Sequence, residues 1–332
     1  MYVHWVEHLV HRINALLSFS VNGLLIYVIQ DDKKVKLGHY RFLIFIFAMF
    51  NLTSTVTDNL IPLRVHDYKY AFSVFVVSGL FEKRTFVGEV LLSWRCSLIS
   101  ATYGILHSHF VYRYLALYRK LLTNFFVPYG LVLTILNCIL PMAIWFWVCY
   151  ALLTADNERR LYVQAEIMEH YQGDVFDANI IVALYQGGSK DAVISSWVGI
   201  GTMSGISVAS IIIDVVLGIL IIRKLKDSGL IMSSRMRTVQ TQLMKALTVQ
   251  VTVPMMASFL PCLFAWYKPI FKLSFGQWID ACDAVAISFF PVLDPIALFY
   301  FVPAFNDRLK QIFSCRSHQR RVAKAPSTVE TA

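Results

Sequence analysis

Polar side chains inside long apolar segments are the residues of this sequence that could do chemistry. Asp294 precedes Pro295 in the apolar run FFPVLDPIALFYF, and Asn51 lies at a comparable depth of another apolar segment. A charged group costs about 2.5–3.5 kcal/mol on insertion into a bilayer, so it needs a partner or a function. Pro295 also frees a carbonyl and weakens its helix. We therefore predict that Asp294 and Asn51 contact each other as part of a conformational switch.

A second set of charges lies where apolar segments end. Arg113 stands between Tyr112 and Tyr114 in HFVYRYLAL, and the run continues apolar to Leu117. We expect its guanidinium within the mouth of a helix bundle, although a boundary Arg can also extend toward water. The predicted coupling surface comprises Arg113, Tyr114, Arg235, Arg237, Lys245 and Lys310. The alternative for its basic members other than Arg113 is contact with lipid head groups.

Two prolines in the predicted span 244–267 indicate that this helix can bend. Pro254 and Pro261 are seven residues apart, and two helix breakers in one segment indicate a hinge. Proline is also common in membrane helices for other reasons. The pair Gly201 and Gly205 would permit close packing against another helix.

These residues need an apolar scaffold to position them, and the composition indicates a membrane protein. The chain has 332 residues, of which 57% are hydrophobic and 15% charged, whereas ordinary domains have about 25% charged residues. Roughly 20 apolar residues span a bilayer as a helix. We predict an all-α bundle of seven spans at roughly 9–30, 40–63, 91–116, 125–153, 193–222, 244–267 and 280–302.

The distribution of positive charge predicts the orientation of this bundle. In the seven-span arrangement, 19 of the 30 Lys and Arg residues lie on one side, and the richer side should be cytoplasmic. The amino terminus is then outside, the first span is an uncleaved anchor, and the carboxyl terminus is inside. We expect residues 1–313 to form one domain and 314–332 a flexible cytoplasmic tail. The net charge of +9 therefore indicates topology rather than nucleic-acid binding.

Two segments outside the spans are less regular. The apolar segment 70–81 is too short to cross a bilayer, and we predict an interfacial loop there; an eighth span would break the charge partition. The connection 154–191 holds seven acidic and three basic residues. It is either a solvated loop or an acidic vestibule above a ligand entrance.

The six cysteines do not form a metal or redox motif. Their spacing fits neither a zinc site nor a CxxC pair, and the connection 154–191 contains no cysteine that could pair with Cys96. Cys315 lies among arginines after the last span and is a palmitoylation candidate. We expect no metal, no cofactor and no enzymatic activity.

Three runs carry a resemblance to a known family. HFVYRYLAL, the segment Gln242–Pro261 and the segment Phe289–Phe305 resemble nematode serpentine chemoreceptors of the str class, within the G-protein-coupled receptors. The triplet Tyr112-Arg113-Tyr114 resembles the Asp-Arg-Tyr triplet of rhodopsin-like receptors, with Tyr in place of Asp. Asp294-Pro295 is similar to their Asn-Pro motif. The replaced acid leaves open what restrains Arg113 at rest.

The resemblance implies a chemosensory, olfactory receptor in the ciliary membrane of a sensory neuron. It implies a small and often volatile ligand and coupling to a heterotrimeric G protein. Receptors of this shape bind ligands between the outer halves of their spans, which points to Ser100, Tyr103, Trp197, Trp266 and Asp283. An apolar lining there would suit a neutral volatile better than an ion.

Three other classes of membrane protein fit the sequence less well. A transporter is usually built from repeated halves, and none is visible. An odorant-gated channel of inverted topology would contradict the charge distribution. A membrane hydrolase needs converging metal ligands, whereas His107 and His109 are two apart on one helix and face different directions.

Overall fold

The computed structural model describes residues 5–30, 38–118, 126–226, 234–272, 277–302, 305–312 and 314. The side chains of 5–8, 234–236, 239, 243, 253–254, 257–258 and 277–287 lie outside this description, although their helical backbone is included.

Long helices make up most of the described chain. They are α1 (Trp5–Gln30), α2 (Tyr40–Leu60), α3 (Phe86–Tyr118), α4 (Leu131–Trp147), α5 (Asn157–Tyr171), α6 (Lys190–Lys226), α7 (Ser234–Pro254), α8 (Leu260–Tyr267) and α9 (Gln277–Phe301). Short π-helical segments precede and follow α4, at Phe126–Gly130 and Val148–Leu152, and a third joins α7 to α8 at Met255–Phe259. A 3-10 turn lies at Val175–Asp177.

Four helical segments are long and apolar enough to cross a bilayer: Leu9–Gln30, Tyr40–Leu60, Phe126–Leu152 and Lys190–Lys226. A bent pair, Ser288–Phe301 with Phe305–Ile312, would make a fifth. These segments confirm apolar helices at four of the predicted spans. Helices also occupy 91–116, 244–267 and 280–301 of the three other predicted spans, but the total of seven crossings and their orientation stay predictions.

The expectation of an all-α protein is wrong at one end of the bundle. Three strands, β1 (Leu63–Tyr68), β2 (Ala71–Val76) and β3 (Ile180–Leu184), form an antiparallel sheet in the order β1-β2-β3. The predicted loop at 70–81 therefore contains the central strand. The connection 154–191 is also not a loop, because it contains α5 and β3. We call the three strands and α5 the cap.

Burial on both faces explains why β2 did not show the alternation of a surface strand. Val65, Phe72 and Val74 pack in the hydrophobic cluster of the helix bundle. Ala71 and Phe75 pack in a second cluster, with residues of α5 such as Val163 and Ile167. A strand covered on both faces reads as a continuous apolar run. That pattern is easily mistaken for an apolar loop or part of a span.

The cap is joined to α3 by a buried arginine of α5. Arg160 is fully buried and donates to the backbone carbonyls of Ala155 (2.9 Å), Ala178 (2.8 Å) and Val175. Its guanidinium also lies 3.5 Å from Glu89 of α3. Burial lowers the pKa of Arg160 to about 10, so the side chain remains charged near neutral pH.

Acidic residues in the connection 154–191 serve local structure. Asp156 caps α5 by accepting from the Arg159 amide at 2.9 Å, and Asp174 caps the 3-10 turn in the same manner. Asp and Asn are favoured at such positions because their oxygens satisfy amides that helix ends leave unpaired. Whether the other acidic residues form a vestibule stays a prediction.

Candidate functional site

An apolar cavity lies between the cap and the helix bundle. It has a volume of about 60 Å³. Its walls come from all three strands, from α3, α4, α6 and α8, and from the segments next to them: Leu63, Val65, Phe72, Val74, Arg95, Cys96, Ile99, Trp145, Cys149, Leu153, Ile181, Met203, Pro261, Cys262, Ala265 and Trp266. The sheet thus closes one side of the cavity. The predicted bundle of seven helices contains no sheet and therefore does not predict this wall.

A buried ion pair forms part of the cavity wall. Arg95 of α3 lies 2.5 Å from a carboxylate oxygen of Asp58 on α2, and both side chains are less than one tenth exposed. Among the described residues that line the cavity, Arg95 is the one charged side chain. Its Nε has no hydrogen-bond partner in the described part of the chain. This nitrogen is buried within the cavity wall, and an unsatisfied buried donor is costly.

Aromatic rings and a second ion pair border the same region. Trp145 and Trp266 lie with ring centroids 5.6 Å apart, and both line the cavity. Lys268, just after α8, contacts Asp67 of β1 at 2.8 Å, and both side chains are buried. The end of α8 is therefore tied to the cap, and a movement of α8 would have to disturb this contact.

The predicted ligand residues have different environments. Trp266 lines the cavity, and Tyr103 packs in the same hydrophobic cluster while donating to Ser207 at 3.1 Å. Ser100 is buried and donates to a carbonyl of its own helix. Trp197 is 42% exposed and contacts Tyr185, at a distance from the cavity lining. Asp283 is among the residues whose side chains lie outside the description.

Asp294 is the centre of a buried polar network between four helices. Asn51 Nδ2 lies 3.3 Å from one oxygen of Asp294, and Gln250 Nε2 lies 2.9 Å from the other. Asn51 also donates to Asn22 Oδ1 at 3.2 Å. All four side chains are at most 1% exposed. The network therefore joins α1, α2, α7 and α9, and the predicted contact of Asn51 with Asp294 is confirmed.

Pro295 creates an acceptor that Asn22 satisfies. A proline has no N–H, so the carbonyl four residues before it loses its helical partner. Here that carbonyl belongs to Pro291, and Asn22 Nδ2 donates to it at 2.8 Å. The carbonyl that Pro295 leaves unpaired within α9 is thus satisfied from α1. Ser18 and Thr55 extend the polar contacts by a hydrogen bond of 2.6 Å between α1 and α2.

Arg113 is buried at the end of the bundle opposite to the cap. Its guanidinium lies 4.0 Å from the ring centroid of Tyr40 and donates to Gln240 at 3.4 Å. The Tyr40 hydroxyl in turn contacts His109 at 2.8 Å. Arg113 is 4% exposed, and two of its nitrogens have no hydrogen-bond partner among the described residues. A cation–π contact and an amide thus hold the guanidinium where the Asp-Arg-Tyr triplet would offer an acid.

Comparisons with known proteins agree over nearly the whole chain. The family described as serpentine type 7TM GPCR chemoreceptor Srj matches residues 1–309. The chain belongs to the Srj family. Serpentine receptor class J-38 of Caenorhabditis elegans is 33% identical over 93% of this chain and 94% of the relative. Serpentine receptor class r-10 of Caenorhabditis briggsae is 26% identical (94% and 91%), and G-protein coupled receptor str-33 of Caenorhabditis elegans is 25% identical (85% and 82%).

This membership corrects one part of the resemblance. The chain is a multi-pass membrane protein of a serpentine chemoreceptor family, as its three sequence runs indicated, but the family is Srj rather than str. The chain is also 25% identical to a str receptor, so a resemblance to that class does not by itself separate the two classes.

Other residues of the predicted coupling surface are exposed in this Srj receptor. Arg237, Lys245 and Lys310 are exposed, and Tyr114 stacks on Tyr118 with centroids 4.4 Å apart. The Arg235 side chain and Cys315 lie outside the described residues, as does the predicted tail apart from Ser314. Arg113 is thus buried in this conformation, whereas Arg237, Lys245 and Lys310 are exposed.

The predicted hinge coincides with a change of helix type. The π-helical segment Met255–Phe259 lies between Pro254 at the end of α7 and Pro261 near the start of α8. Such segments are rare in helices and occur frequently at functional sites. The side chain of Pro254 lies outside the description, whereas Pro261 lines the cavity.

Sequence reasoning missed several functional candidates. Asn22 and Gln250 lie in apolar segments. These segments were interpreted by their length as spans, and the single amide side chains within them were not considered. The pairing of Arg95 with Asp58 was also missed, because Arg95 was counted among the positive charges of a loop and not among those of a span. A buried amide or charge in each span is the signal that could have identified them. By contrast, Gly201 and Gly205 have open space where a Cβ would be placed, so none of the described helices packs closely on them.

Proposed function

We propose that this Srj receptor binds a small odorant and activates a heterotrimeric G protein from its Arg113 end. The observation that carries the proposal is the network around Asp294, which joins α2 and α7, the two helices whose Tyr40 and Gln240 contact Arg113. Through its π-helical junction, α7 continues into α8, which lines the cavity. Membership of a GPCR chemoreceptor family supports the same assignment. In this proposal the cap is outside the cell, and the receptor resides in the ciliary membrane of a sensory neuron.

Two conformations of the network would connect ligand and partner. Hydrogen bonds to a charged group contribute about 1.5–3 kcal/mol, and receptor states differ by a few kcal/mol. Loss or gain of the contacts of Asp294 with Asn51 and Gln250 is therefore large enough to shift the balance. Gln250 lies on α7, whose π-helical junction with α8 provides the place to bend. A ligand in the cavity contacts α8 and biases the same helix pair.

Arg113 is the side chain that would contact the G protein after the network around Asp294 changes conformation. In the described conformation it is buried, and two of its nitrogens lack hydrogen-bond partners among the described residues. A buried, incompletely bonded guanidinium is costly, so a conformation that exposes it to carbonyl or carboxylate acceptors of a partner gains energy. The predicted switch residues are Asn51, Asp294, Pro295, Pro254 and Pro261.

Nucleotide exchange tests this proposal. Membranes that contain the native receptor, Arg113→Ala or Arg113→Lys would be incubated with heterotrimeric G proteins and a panel of volatile ketones, esters, alcohols and acids. The native receptor should accelerate exchange with at least one compound. Arg113→Ala should lose this acceleration at equal surface expression, and Arg113→Lys should retain part of it because the positive charge is kept. Equal exchange by the native receptor and Arg113→Ala would contradict the proposal.

A further inference from the structure

A second cavity, which we call the Arg41 cavity, lies at the end of the bundle that holds Arg113. We propose that it binds one anionic phospholipid, with the lipid phosphate paired to Arg41 and an acyl chain packed on Phe42 and Phe45. The proposal rests on the proposed function in one respect, namely that this end of the bundle faces the cytoplasm.

The Arg41 cavity lies between the end of one helix and the start of the next. Ile29 and Gln30, the last residues of α1, form one wall. Arg41, Phe42 and Phe45, from the first two turns of α2, form the other. The cavity therefore has apolar side chains on both walls and a polar group at the end of each helix.

The residue before Arg41 places the cavity at a bilayer boundary. The Tyr40 ring centroid lies 4.0 Å from the guanidinium carbon of Arg113, which is at the end of the bundle opposite to the cap. The cavity also borders the ends of two segments that are long and apolar enough to cross a bilayer, Leu9–Gln30 and Tyr40–Leu60. Lipid head groups lie where such segments end.

The apolar wall of the Arg41 cavity continues onto the lipid-facing surface of α2. Phe42 is half-buried, whereas Phe45 is 39% exposed. Met49, four residues after Phe45 and hence on the same face of the helix, is 44% exposed. An acyl chain that leaves the cavity therefore meets a continuous row of apolar side chains.

Arg41 supplies the charge that selects the head group. Its side chain is half-buried, and its guanidinium carbon lies 4.9 Å from the ring centroid of Phe42. A guanidinium has five N–H donors and can bind two phosphate oxygens at once, so it can hold a phosphate in addition to its contact with the ring. Among the described residues that line this cavity, Arg41 is the one charged side chain. A lipid of net negative charge is therefore favoured over a zwitterionic lipid, which brings its own cation.

The volume suits the polar part of a lipid and the start of its chains. The Arg41 cavity measures about 340 Å³, whereas an apolar cavity of about 150 Å³ holds benzene. A phosphate with its glycerol backbone fits such a space, and the rest of each chain would extend outside it along α2. A soluble phosphate would contact Arg41 and leave the apolar wall without a partner. The shape thus favours a lipid over a soluble anion.

Native mass spectrometry of the purified receptor tests the proposal without a G protein. The receptor in a neutral detergent would be titrated with dioleoylphosphatidylserine, dioleoylphosphatidylcholine and glycerol phosphate. The two lipids share their acyl chains and differ in net charge, whereas glycerol phosphate keeps the phosphate and lacks the chains. We expect phosphatidylserine to bind at least about fivefold more tightly than phosphatidylcholine, the factor for one basic residue near a membrane surface. Glycerol phosphate should bind more weakly than phosphatidylserine.

Three variants assign the preference to Arg41. Arg41→Gln should bind one phosphatidylserine fewer than the native receptor at the same lipid concentration. Arg41→Lys should retain part of this binding, because the charge is kept and the bidentate contact is lost. Arg223→Gln is the matched control: Arg223 is an exposed arginine in the last turn of α6 and does not line the cavity, so its loss should leave the count unchanged. Thermal unfolding without lipid shows that each variant is folded.

Four results would overturn the proposal. They are equal binding of the two lipids by the native receptor, an unchanged count in Arg41→Gln, binding of glycerol phosphate as tight as that of phosphatidylserine, and an equal loss in Arg223→Gln, which would show attraction by positive charge in general. Nucleotide exchange is measured separately. A receptor that couples normally but gives one of these results refutes the lipid site alone, and a receptor that binds the lipid but fails to couple refutes the proposed function alone.

Discussion

Asn51 and Asp294, which are 243 positions apart in the chain, form a buried hydrogen bond of 3.3 Å between α2 and α9. The second oxygen of Asp294 accepts from Gln250, so the carboxylate is held by amides from two sides. Asp294, which precedes Pro295 within α9, is thereby connected to α2 and to α7, the helix that leads into the π-helical junction.

The first prediction concerns this contact. Asp294→Asn should change basal or odorant-driven nucleotide exchange with a modest loss of expression, because the shape is kept and the charge is removed. Asn51→Leu should give a related change. Because the two side chains touch, the double variant should depart from additivity by about 0.5–3 kcal/mol. Thermal unfolding and exchange would both be measured for the four proteins of the cycle. Strictly additive effects would show that the contact has no energetic role.

The second prediction concerns the carbonyl that Pro295 frees. Asn22→Leu removes the donor to Pro291 and should lower the free energy of unfolding by about 1–3 kcal/mol, the cost of an unsatisfied buried acceptor. Pro295→Ala restores an N–H, so Asn22→Leu should cost clearly less in that background. Thermal unfolding of the native protein and the three variants measures the difference. An equal cost in both backgrounds would mean that Asn22 acts through its other contacts.

The third prediction concerns the attachment of the cap. Arg160→Met leaves three buried carbonyls without their donor and should lower the free energy of unfolding by at least about 2 kcal/mol. Arg84→Met is the matched control: Arg84 also contacts Glu89, but its side chain is 44% exposed. An exposed pair of this kind is worth about 0–1 kcal/mol. Differential scanning fluorimetry would compare both variants, and equal melting temperatures would refute the role given to Arg160.

The fourth prediction concerns helix contact at glycine. A Cβ at Gly104 of α3 would meet the backbone of Asn137 in α4, so Gly104→Ala should destabilise the protein by about 1–3 kcal/mol through overpacking. At Gly201 the corresponding space is open. Gly201→Ala should therefore be neutral or stabilise the helix by up to about 1 kcal/mol. Thermal unfolding of the two variants should move in different directions; a stabilising Gly104→Ala would contradict the tight packing of α3 on α4.

Residue types and the lengths of the apolar segments were sufficient to predict a membrane protein with long apolar helices. The contact of Asn51 with Asp294 was also predicted, because a buried charge needs a polar partner at a similar depth. A π-helical segment lies between Pro254 and Pro261, and the hinge there stays a prediction. The resemblance found the superfamily and missed the class. The cap was missed because a strand buried on both faces, such as β2, has the same apolar run as a short loop or part of a span. Its partner β3 lies over one hundred positions away, and strand pairing at that separation leaves no local signal.

The candidate ligand region shows the same limit. Trp266 and Tyr103 were selected for being polar or aromatic near span ends, and they do lie at or beside the cavity. Arg95 and Asp58 are separated in sequence, and each alone resembles a boundary charge. Only the packed helices bring these two side chains to within 2.5 Å of each other and bury them, so the ion pair could not be predicted from the sequence.

The most direct test of the account is odorant-stimulated nucleotide exchange by Arg113→Ala at matched surface expression. The variant loses the cation–π contact with Tyr40 and the bond to Gln240, along with the group assigned to the G protein. We expect that Arg113→Ala reaches the membrane and fails to accelerate exchange, while Arg113→Lys retains part of the activity. Exchange at the native rate by Arg113→Ala would show that Arg113 is not the group through which the receptor activates the G protein.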